Sequence, residues 1–500
     1  MDDLNQRKKL SELESQNFER QGVWKDIDPY IYGISNDSKN VRPGYIFFAV
    51  NGHLNHGAKF AIDAIDRGSI FVITDAEGAK IIRQENSELP VMIVLNVRKK
   101  IAEYAVRWNG IQPKTLIAVT GTNGKTSVCY FVQQIWQLFG HRAASIGTLG
   151  VQGDSCFDLK NTTPDPISLH KILRRLGQNQ VEYVSMEASS HGLDQFRLDG
   201  VNLKAAAFTN LSRDHLDYHI DQDEYFASKC LLFDRVLSSG NIVVLNIDDP
   251  YAKVVKLVSE SKGHKVLTIG VHSSADLKIC DHRYDLDGQT LKLSYLGITR
   301  IIYLPLIGDF QATNILISAA LTIALGAPCD EVFSFLPKLK PVPGRMELVG
   351  TKEPLTKVFV DYAHTPDALR SALQALRPHT IGRLMLVFGA GGERDFGKRP
   401  LMGQIAQRHA DDIFVTDDNP RNEEPEKIRK AILIACPEAV EIPDRAEAIL
   451  TAIDKMREGD VLLIAGKGHE TGQVMGDDIL PFDDREFAST SLRILKGEKV

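Results

Sequence analysis

Short apolar runs recur along the chain, and amphipathic stretches separate most of them. In the first hundred residues they are 45–50 (YIFFAV) and 69–74 (SIFVIT), with a helix predicted over 58–67 between them. Further on come 115–119, 183–186, 205–209, 242–246 and 266–269, most of them separated by helical patterns. A last group follows at 358–360, 384–388, 413–416 and 461–464, each leading at once into a polar turn with Gly or Asp. Strands alternating with helices predict parallel sheets with both faces covered. The stretch 315–325 (ILISAALTIAL) is almost wholly apolar. It is too short to span a bilayer and reads as a buried core helix.

Punctuation divides the pattern. Gly, Pro and polar residues cluster at 109–114 (NGIQPK), and prolines at 337–343 (PKLKPVP). These breaks predict an α/β protein of three domains, 1–111, 112–341 and 342–500. A chain of 500 residues suits that number. The formal charge of −6 excludes a strongly basic nucleic-acid footprint. The first residues are charged and lack an apolar core, against a secretory signal. Six cysteines without a CxxC pair point to reduced thiols in a cytoplasmic protein.

Chemistry concentrates behind the strands. The run 115–119 leads into Thr120-Gly121-Thr122-Asn123-Gly124-Lys125-Thr126-Ser127, then a helical stretch to Phe139 closed by Gly140. Glycines let backbone N–H groups close around phosphate oxygens, and the helix N-terminus adds partial positive charge. Lys125 can neutralise phosphate, and the Thr126 hydroxyl can ligate Mg²⁺. The loop is a short GxxGKT, with Val119 where the longer phosphate-loop pattern has its first glycine. Glu187 and His215 stand behind two further strands. In a parallel sheet ligands bind beyond the carboxyl ends of strands, so three strand ends are expected to meet at one nucleotide and its metal. Mg²⁺ prefers oxygen, which favours Glu187 as a ligand over a histidine.

Several longer motifs occur in order: TGTNGKTS (120–127), NTTP (161–164), MEASSHGLDQFR (186–197), TNLSRDHLDYH (209–219), YFASK (225–229), VPGRME (342–347), DYAHTPDAL (361–369), GGERDFGKRP (391–400), DDNPR (417–421) and GKGHE (466–470). On these the chain resembles the Mur ligase superfamily over nearly its whole length. The closest likeness is to members that add the third residue of the peptidoglycan stem peptide. The resemblance implies a UDP-sugar-binding N-terminal domain, a central ATPase domain and a C-terminal Rossmann-like domain. It implies ATP and Mg²⁺, with UDP-MurNAc-L-Ala-D-Glu and meso-2,6-diaminopimelate as substrates. A carboxylate would attack ATP, and the amine would attack the resulting acyl phosphate. The enzyme would be a cytoplasmic monomer serving cell-wall synthesis.

Roles follow by matching positions. The catalytic set would be Lys125, Glu187, His215 and Lys229, the last as a carbamate. Thr126, Glu187, His215 and Lys229 would hold metal. Gly121, Thr122, Asn123, Gly124, Lys125, Thr126, Ser127, Asn314, Arg345 and Asp361 would bind ATP. Ser38, His53, Leu54, Asn55, Asn161, Thr162, Thr163, Ser189, Gln195 and Arg197 would bind the UDP-MurNAc-dipeptide, with Lys39 where an Arg is common. Arg394, Asp418, Asn419, Pro420, Arg421, Gly466 and Glu470 would bind diaminopimelate. In the family DNPR accompanies diaminopimelate rather than lysine, and an arginine fork suits the extra carboxylate. Ala390 and Glu393 replace a common Cys and Asp. The alternatives are a lysine-adding Mur ligase and a folylpolyglutamate synthase-like ligase. The latter lacks the NTTP and DNPR elements. A GTPase switch would need an NKxD element, absent here.

Overall fold

The computed structural model describes residues 6–14, 27–52, 55–86, 88–285 and 287–497. It divides into two compact units. The first comprises Met1–Ala118, His141–Lys204 and Leu231–Asn241, and the second Val119–Gly140, Ala205–Cys230 and Ile242–Val500.

In the first unit four parallel strands run in the order Gly33–Ser35, Tyr45–Phe48, Ser69–Thr74, Val91–Ile93. The helix Val97–Asn109 starts where the Asn96 side chain accepts from Lys99 N and stops at Gly110, whose φ is 70°. It packs Ile101, Tyr104 and Ala105 with Phe48 and Phe71. The helix expected over 58–67 is split: a 3-10 turn, Gly57–Phe60, precedes the α-helix Ala61–Asp66. The strand expected over 45–50 ends at Phe48. The same unit holds Tyr183–Glu187 beside Ala143–Gly147, parallel, and then Gly150–Gly153, antiparallel. The helix Pro166–Gln178 is capped by Asp165, which accepts from Ile167 N and Ser168 N.

In the second unit Leu203–Phe208 (from Ala205), Ile242–Asn246 and Lys265–Gly270 lie parallel. Beyond them the expectation of an all-parallel sheet fails. Leu277–Asp285, Gly288–Tyr295 and Ile298–Leu304 form an antiparallel ribbon. Its strands alternate buried and exposed residues, as at Gln289–Leu293. A search for continuous apolar runs passes over such a pattern. The apolar helix, expected over 315–325, runs Asp309–Ala324 and is buried along most of its length. It packs on Lys125–Leu138, with the Ser318 hydroxyl donating to Val128 O at 3.2 Å.

A second sheet in this unit runs Glu347–Gly350, Lys357–Asp361, Val461–Ala465, Leu384–Phe388, Asp412–Val415, Val440–Glu441. Only its first strand is antiparallel. Apolar clusters cover both faces. Among the described residues no helix is long and apolar enough to cross a membrane.

Candidate active site

The loop after Thr115–Thr120 is held by the segment after Leu203–Phe208. Thr122 N donates to Asn210 O at 2.9 Å, Asn123 N to Asn210 Oδ1 at 3.0 Å, and Thr209 Oγ1 to Asn123 O at 2.6 Å. Ser212 N donates to Thr122 Oγ1 at 2.9 Å. Two glycines permit this closeness. A Cβ at Gly121 (φ 146°) would lie 1.9 Å from Thr209 Oγ1, and one at Gly124 (φ 85°) 2.4 Å from Asn314 Oδ1. Gly124 caps the helix Lys125–Leu138, so the helix N-terminus faces the loop.

Lys125 Nζ donates to Gly121 O at 3.0 Å and Thr122 O at 2.8 Å. Lys229 Nζ donates to the same Gly121 O at 2.8 Å and lies 4.2 Å from the Tyr225 ring centre. Lys229 is only 1% exposed. Burial, then the charge of Lys125, holds its ammonium well below the ordinary lysine range. A solvated helix lysine is thereby excluded.

His215 has a φ of 55° and its Nε2 lies 3.5 Å from Asp214 Oδ2. Burial together with Lys229 and Lys125 outweighs Asp214 and lowers the imidazole to about 4. It is therefore neutral near pH 7, the form that ligates metals. Burial would raise Asp214, but His215, His364 and Lys398 pull it down to about 2.

Arg345, after the proline-rich stretch, donates from Nη2 to Thr126 Oγ1 at 3.3 Å and lies 4.3 Å over the Tyr362 ring. Asp361 accepts from Met346 N at 2.6 Å and Ala363 N at 2.8 Å. Burial raises its pKa despite Arg345. Asn123, Gly124, Thr126, Ser127, Asn314, Arg345 and Asp361 line one cavity of about 310 Å³. The sequence-derived ATP set is thus gathered around the loop.

A second cavity, about 150 Å³, is lined by Arg394, Asp418, Asn419, Arg421, Gly466 and Glu470. Of the seven positions assigned to diaminopimelate only Pro420 is absent from the lining. Arg421, with a φ of 54°, donates from Nη1 to Gly392 O at 2.7 Å. Arg394 Nη1 lies 3.2 Å from Asp217 Oδ2. Asn419 Nδ2 donates to Glu470 Oε2 at 2.8 Å. Burial and the nearby Asp418 raise Glu470. Tyr362, His364, Asp214, Asp217 and Lys398 line the same space. Sequence reasoning gave these five no role, although all of them lie in the quoted motifs TNLSRDHLDYH, DYAHTPDAL and GGERDFGKRP.

The first unit carries its own cavity, about 620 Å³, lined among others by Ser38, Lys39, Asn55, Arg98, Gln195 and Arg197. Arg98 Nη1 and Arg197 Nη2 both donate to Gln195 Oε1, at 3.3 and 2.8 Å. Arg98 was not foreseen. Arg197 Nη1 donates to Thr163 O at 2.7 Å, and Ser189 N donates to Thr163 Oγ1 at 3.1 Å. The Thr162 hydroxyl lies 3.1 Å from that of Thr148. Asn161 is exposed and is not among the lining residues. His53 and Leu54 lie outside the described residues.

Glu187 ends Tyr183–Glu187 and is 2% exposed. Its carboxylate accepts from Thr148 N at 2.7 Å and Thr148 Oγ1 at 3.2 Å. A Cβ at Gly147 would lie 2.1 Å from Glu187 Oε1. Glu187 belongs to the first unit, whereas Thr126, His215 and Lys229 belong to the second. Among the described residues no three His, Cys, Asp or Glu side chains gather as a metal site. The expected set is of another kind: one hydroxyl, one carboxylate, one imidazole and one lysine.

Comparison with known families gives three matches in order. The Mur ligase family catalytic domain matches residues 30–106, the Mur ligase middle domain 119–322, and the Mur ligase glutamate ligase domain 344–468. A UDP-N-acetylmuramoyl-L-alanyl-D-glutamate–2,6-diaminopimelate ligase of Mesorhizobium japonicum is 47% identical over 93% of this chain and 96% of its own. A solved structure of a ligase with that description superposes with a TM-score of 0.70 at 32% identity, covering 98% of this chain and all of its own. A folylpolyglutamate synthase of Mycobacterium tuberculosis shares the fold, with a TM-score of 0.62 at 19% identity over 73% of this chain and 91% of its own.

Proposed function

The chain belongs to the Mur ligase family, and from that premise we propose that it joins meso-2,6-diaminopimelate to the D-glutamyl γ-carboxylate of UDP-MurNAc-L-Ala-D-Glu. ATP is consumed, and ADP and phosphate are released, in cytoplasmic peptidoglycan precursor synthesis. The protein acts as a monomer. Its domains are 1–111, 112–341 and 342–500.

The observation that carries the choice of amino acid is the 150 Å³ cavity. Its lining combines the guanidiniums of Arg394 and Arg421 with the carboxylates of Asp418 and Glu470. Diaminopimelate ends in a second amino-acid head, carboxylate and ammonium together, whereas lysine ends in ammonium alone. A site built for both charges leaves Arg421 without a carboxylate partner when lysine binds, which is the costly case.

Carboxylate and amine do not condense unaided, because a carboxylate is a poor electrophile. Phosphorylation supplies a leaving group, but it brings two anions together. Lys125 and Arg345 place positive charge beside the phosphate loop, where negative charge develops. Asn314 and Asp361 hold the nucleoside. Ser38, Asn55, Gln195 and Arg197 bind the UDP-sugar substrate and orient its carboxylate, lowering the entropic part of the barrier.

The donor set suits Mg²⁺ on one condition. A protonated Lys229 would repel a cation. Burial instead favours the neutral amine, whose nitrogen can add to carbon dioxide and lose a proton to solvent, giving an anionic carbamate. Thr126, His215 and carbamylated Lys229, all in the second unit, would then hold the ion, which neutralises phosphate charge when bound.

The test is ATP-dependent phosphate release with UDP-MurNAc-L-Ala-D-Glu, comparing meso-diaminopimelate with L-lysine. Release with diaminopimelate alone supports the reading. Release with lysine alone keeps a Mur ligase and removes the arginine argument. Release only with folate and glutamate moves the protein to the folate branch.

A further inference from the structure

Beneath the assigned contacts of the second cavity lies a lysine to which no role has yet been given. Lys467, between Gly466 and Gly468, is wholly buried. An ammonium has three N–H bonds, and this one uses them all. They reach Asn419 Oδ1 at 3.0 Å, Glu470 Oε2 at 3.3 Å and Gly472 O at 2.6 Å. No donor is left for a substrate, so Lys467 acts only through its neighbours.

Its effect on them is specific. Asn419 Oδ1 takes Lys467 and also Val474 N at 3.0 Å. The amide is thereby turned so that its NH₂ faces Glu470 Oε2 at 2.8 Å. Oε2 receives both Asn419 and Lys467, which leaves Oε1 as the acceptor for a ligand. The charged groups sharing the cavity with Glu470 are Asp214, Asp217, Arg394, Asp395, Lys398, Asp418 and Arg421, with the imidazoles of His215 and His364, the Tyr362 phenol and the buried Arg445 as further neighbours. Arg445 is committed to Asp484, at 2.7 Å on two nitrogens. Among the described residues, Lys467 is the cation that pairs with Glu470. Without it, burial and Asp418 both favour the protonated acid, and a neutral acid pairs poorly with an ammonium ligand.

We propose that Lys467 is a positioning residue for amino-acid selection: its ammonium keeps Glu470 ionised and locks Asn419, so that Glu470 Oε1 is presented to the distal ammonium of the incoming amino acid. The proposal rests on the diaminopimelate reading above.

The test uses the full chain with Lys467→Met and, as a second variant that keeps hydrogen bonding without charge, Lys467→Gln. Michaelis constants for meso-diaminopimelate and for ATP are measured between about pH 6 and pH 9, with thermal unfolding as a control. Both variants should raise KM for diaminopimelate on the order of tenfold near pH 7, the defect shrinking as pH rises because Glu470 regains its charge. KM for ATP should stay within about twofold, since Lys467 touches no phosphate-loop residue. A Lys467→Met/Glu470→Gln double variant should match Glu470→Gln alone. The proposal is overturned by an unchanged KM for diaminopimelate, by a defect equal at every pH, by additivity in the double variant, or by loss of folding in both single variants. Absence of diaminopimelate-dependent release in the wild type would overturn the ligase reading and this role with it. Release with flat variant profiles would overturn only the role of Lys467.

Discussion

Arg394 and Asp217 form an ion pair at 3.2 Å, and beside it Arg213 and Asp395 form another at 3.1 Å with the charges exchanged between the two loops. One loop carries His215 and the other Arg394, so the pairs tie the imidazole beside the phosphate loop to the guanidinium of the second cavity. Arg213 and Arg394 are about half exposed, and such pairs contribute roughly 0.2–1 kcal/mol. Arg213→Ala and Asp395→Ala should each lower kcat/KM for the amino acid by about two- to fivefold, more at low salt. The swap Arg213→Asp/Asp395→Arg should restore most of the loss. A swap no better than the single variants would show that the pair does not align the loops.

Arg421 approaches Gly392 O at 2.7 Å in a left-handed backbone conformation. Arg421→Ala should raise KM for diaminopimelate by about a hundredfold or more, because it removes a charge-assisted pair. Arg421→Lys should recover little, since a point charge does not replace a planar fork. Turnover assays with both amino acids decide this, and a lysine substitution with wild-type KM would contradict it.

Burial of Lys229 disfavours its charged form, at a cost to the fold. Its folded pKa is lowered, so between that value and the ordinary lysine value the unfolded chain binds a proton that the native state lacks, and stability rises with pH. Lys229→Met should therefore raise unfolding free energy by about 1–3 kcal/mol without bicarbonate. The gain should be full below the folded pKa and gone by about pH 10. Activity should vanish in the same variant. Denaturant titrations across pH test the first statement. A destabilised Lys229→Met would show that the bond to Gly121 O outweighs burial.

Gly124 leaves no room for a side chain beside Asn314. Gly124→Ala adds a contact at 2.4 Å and a strained φ. Nucleotide affinity, read with a fluorescent ATP analogue, should fall about five- to thirtyfold, because strain of roughly 1–2 kcal/mol falls on the loop itself. Binding of the UDP-sugar substrate should be unchanged. Equal loss of both would indicate general unfolding.

Most of the parallel strands were legible in the sequence because strands buried on both faces read as continuous apolar runs; Gly33–Ser35, Val91–Ile93, Ala143–Gly147 and Val440–Glu441, short or made of small residues, were not. Phe388 and Val461 sit where such runs predicted them. The ribbon around Gln289 and Ile302 was not, since its polar residues alternate with apolar ones. The phosphate loop and DNPR announced themselves through glycine, lysine and arginine at fixed offsets. Lys229 was reached only through the resemblance carried by YFASK, because a lysine on an ordinary helical pattern carries no sign of its burial. Arg98 and Lys467 were silent. What they touch is set by chain segments distant in sequence, and spacing cannot report that.

The lining of the 310 Å³ cavity begins at Asn123 and ends at Ala372. This has a consequence during synthesis. At roughly 5–20 residues per second, the ribosome delivers the phosphate loop well before Arg345 and Asp361. A nascent or prematurely terminated chain thus carries the phosphate loop without the wall that completes its pocket. The full lining of this cavity exists only once the chain has been synthesised past Ala372 and that part has folded.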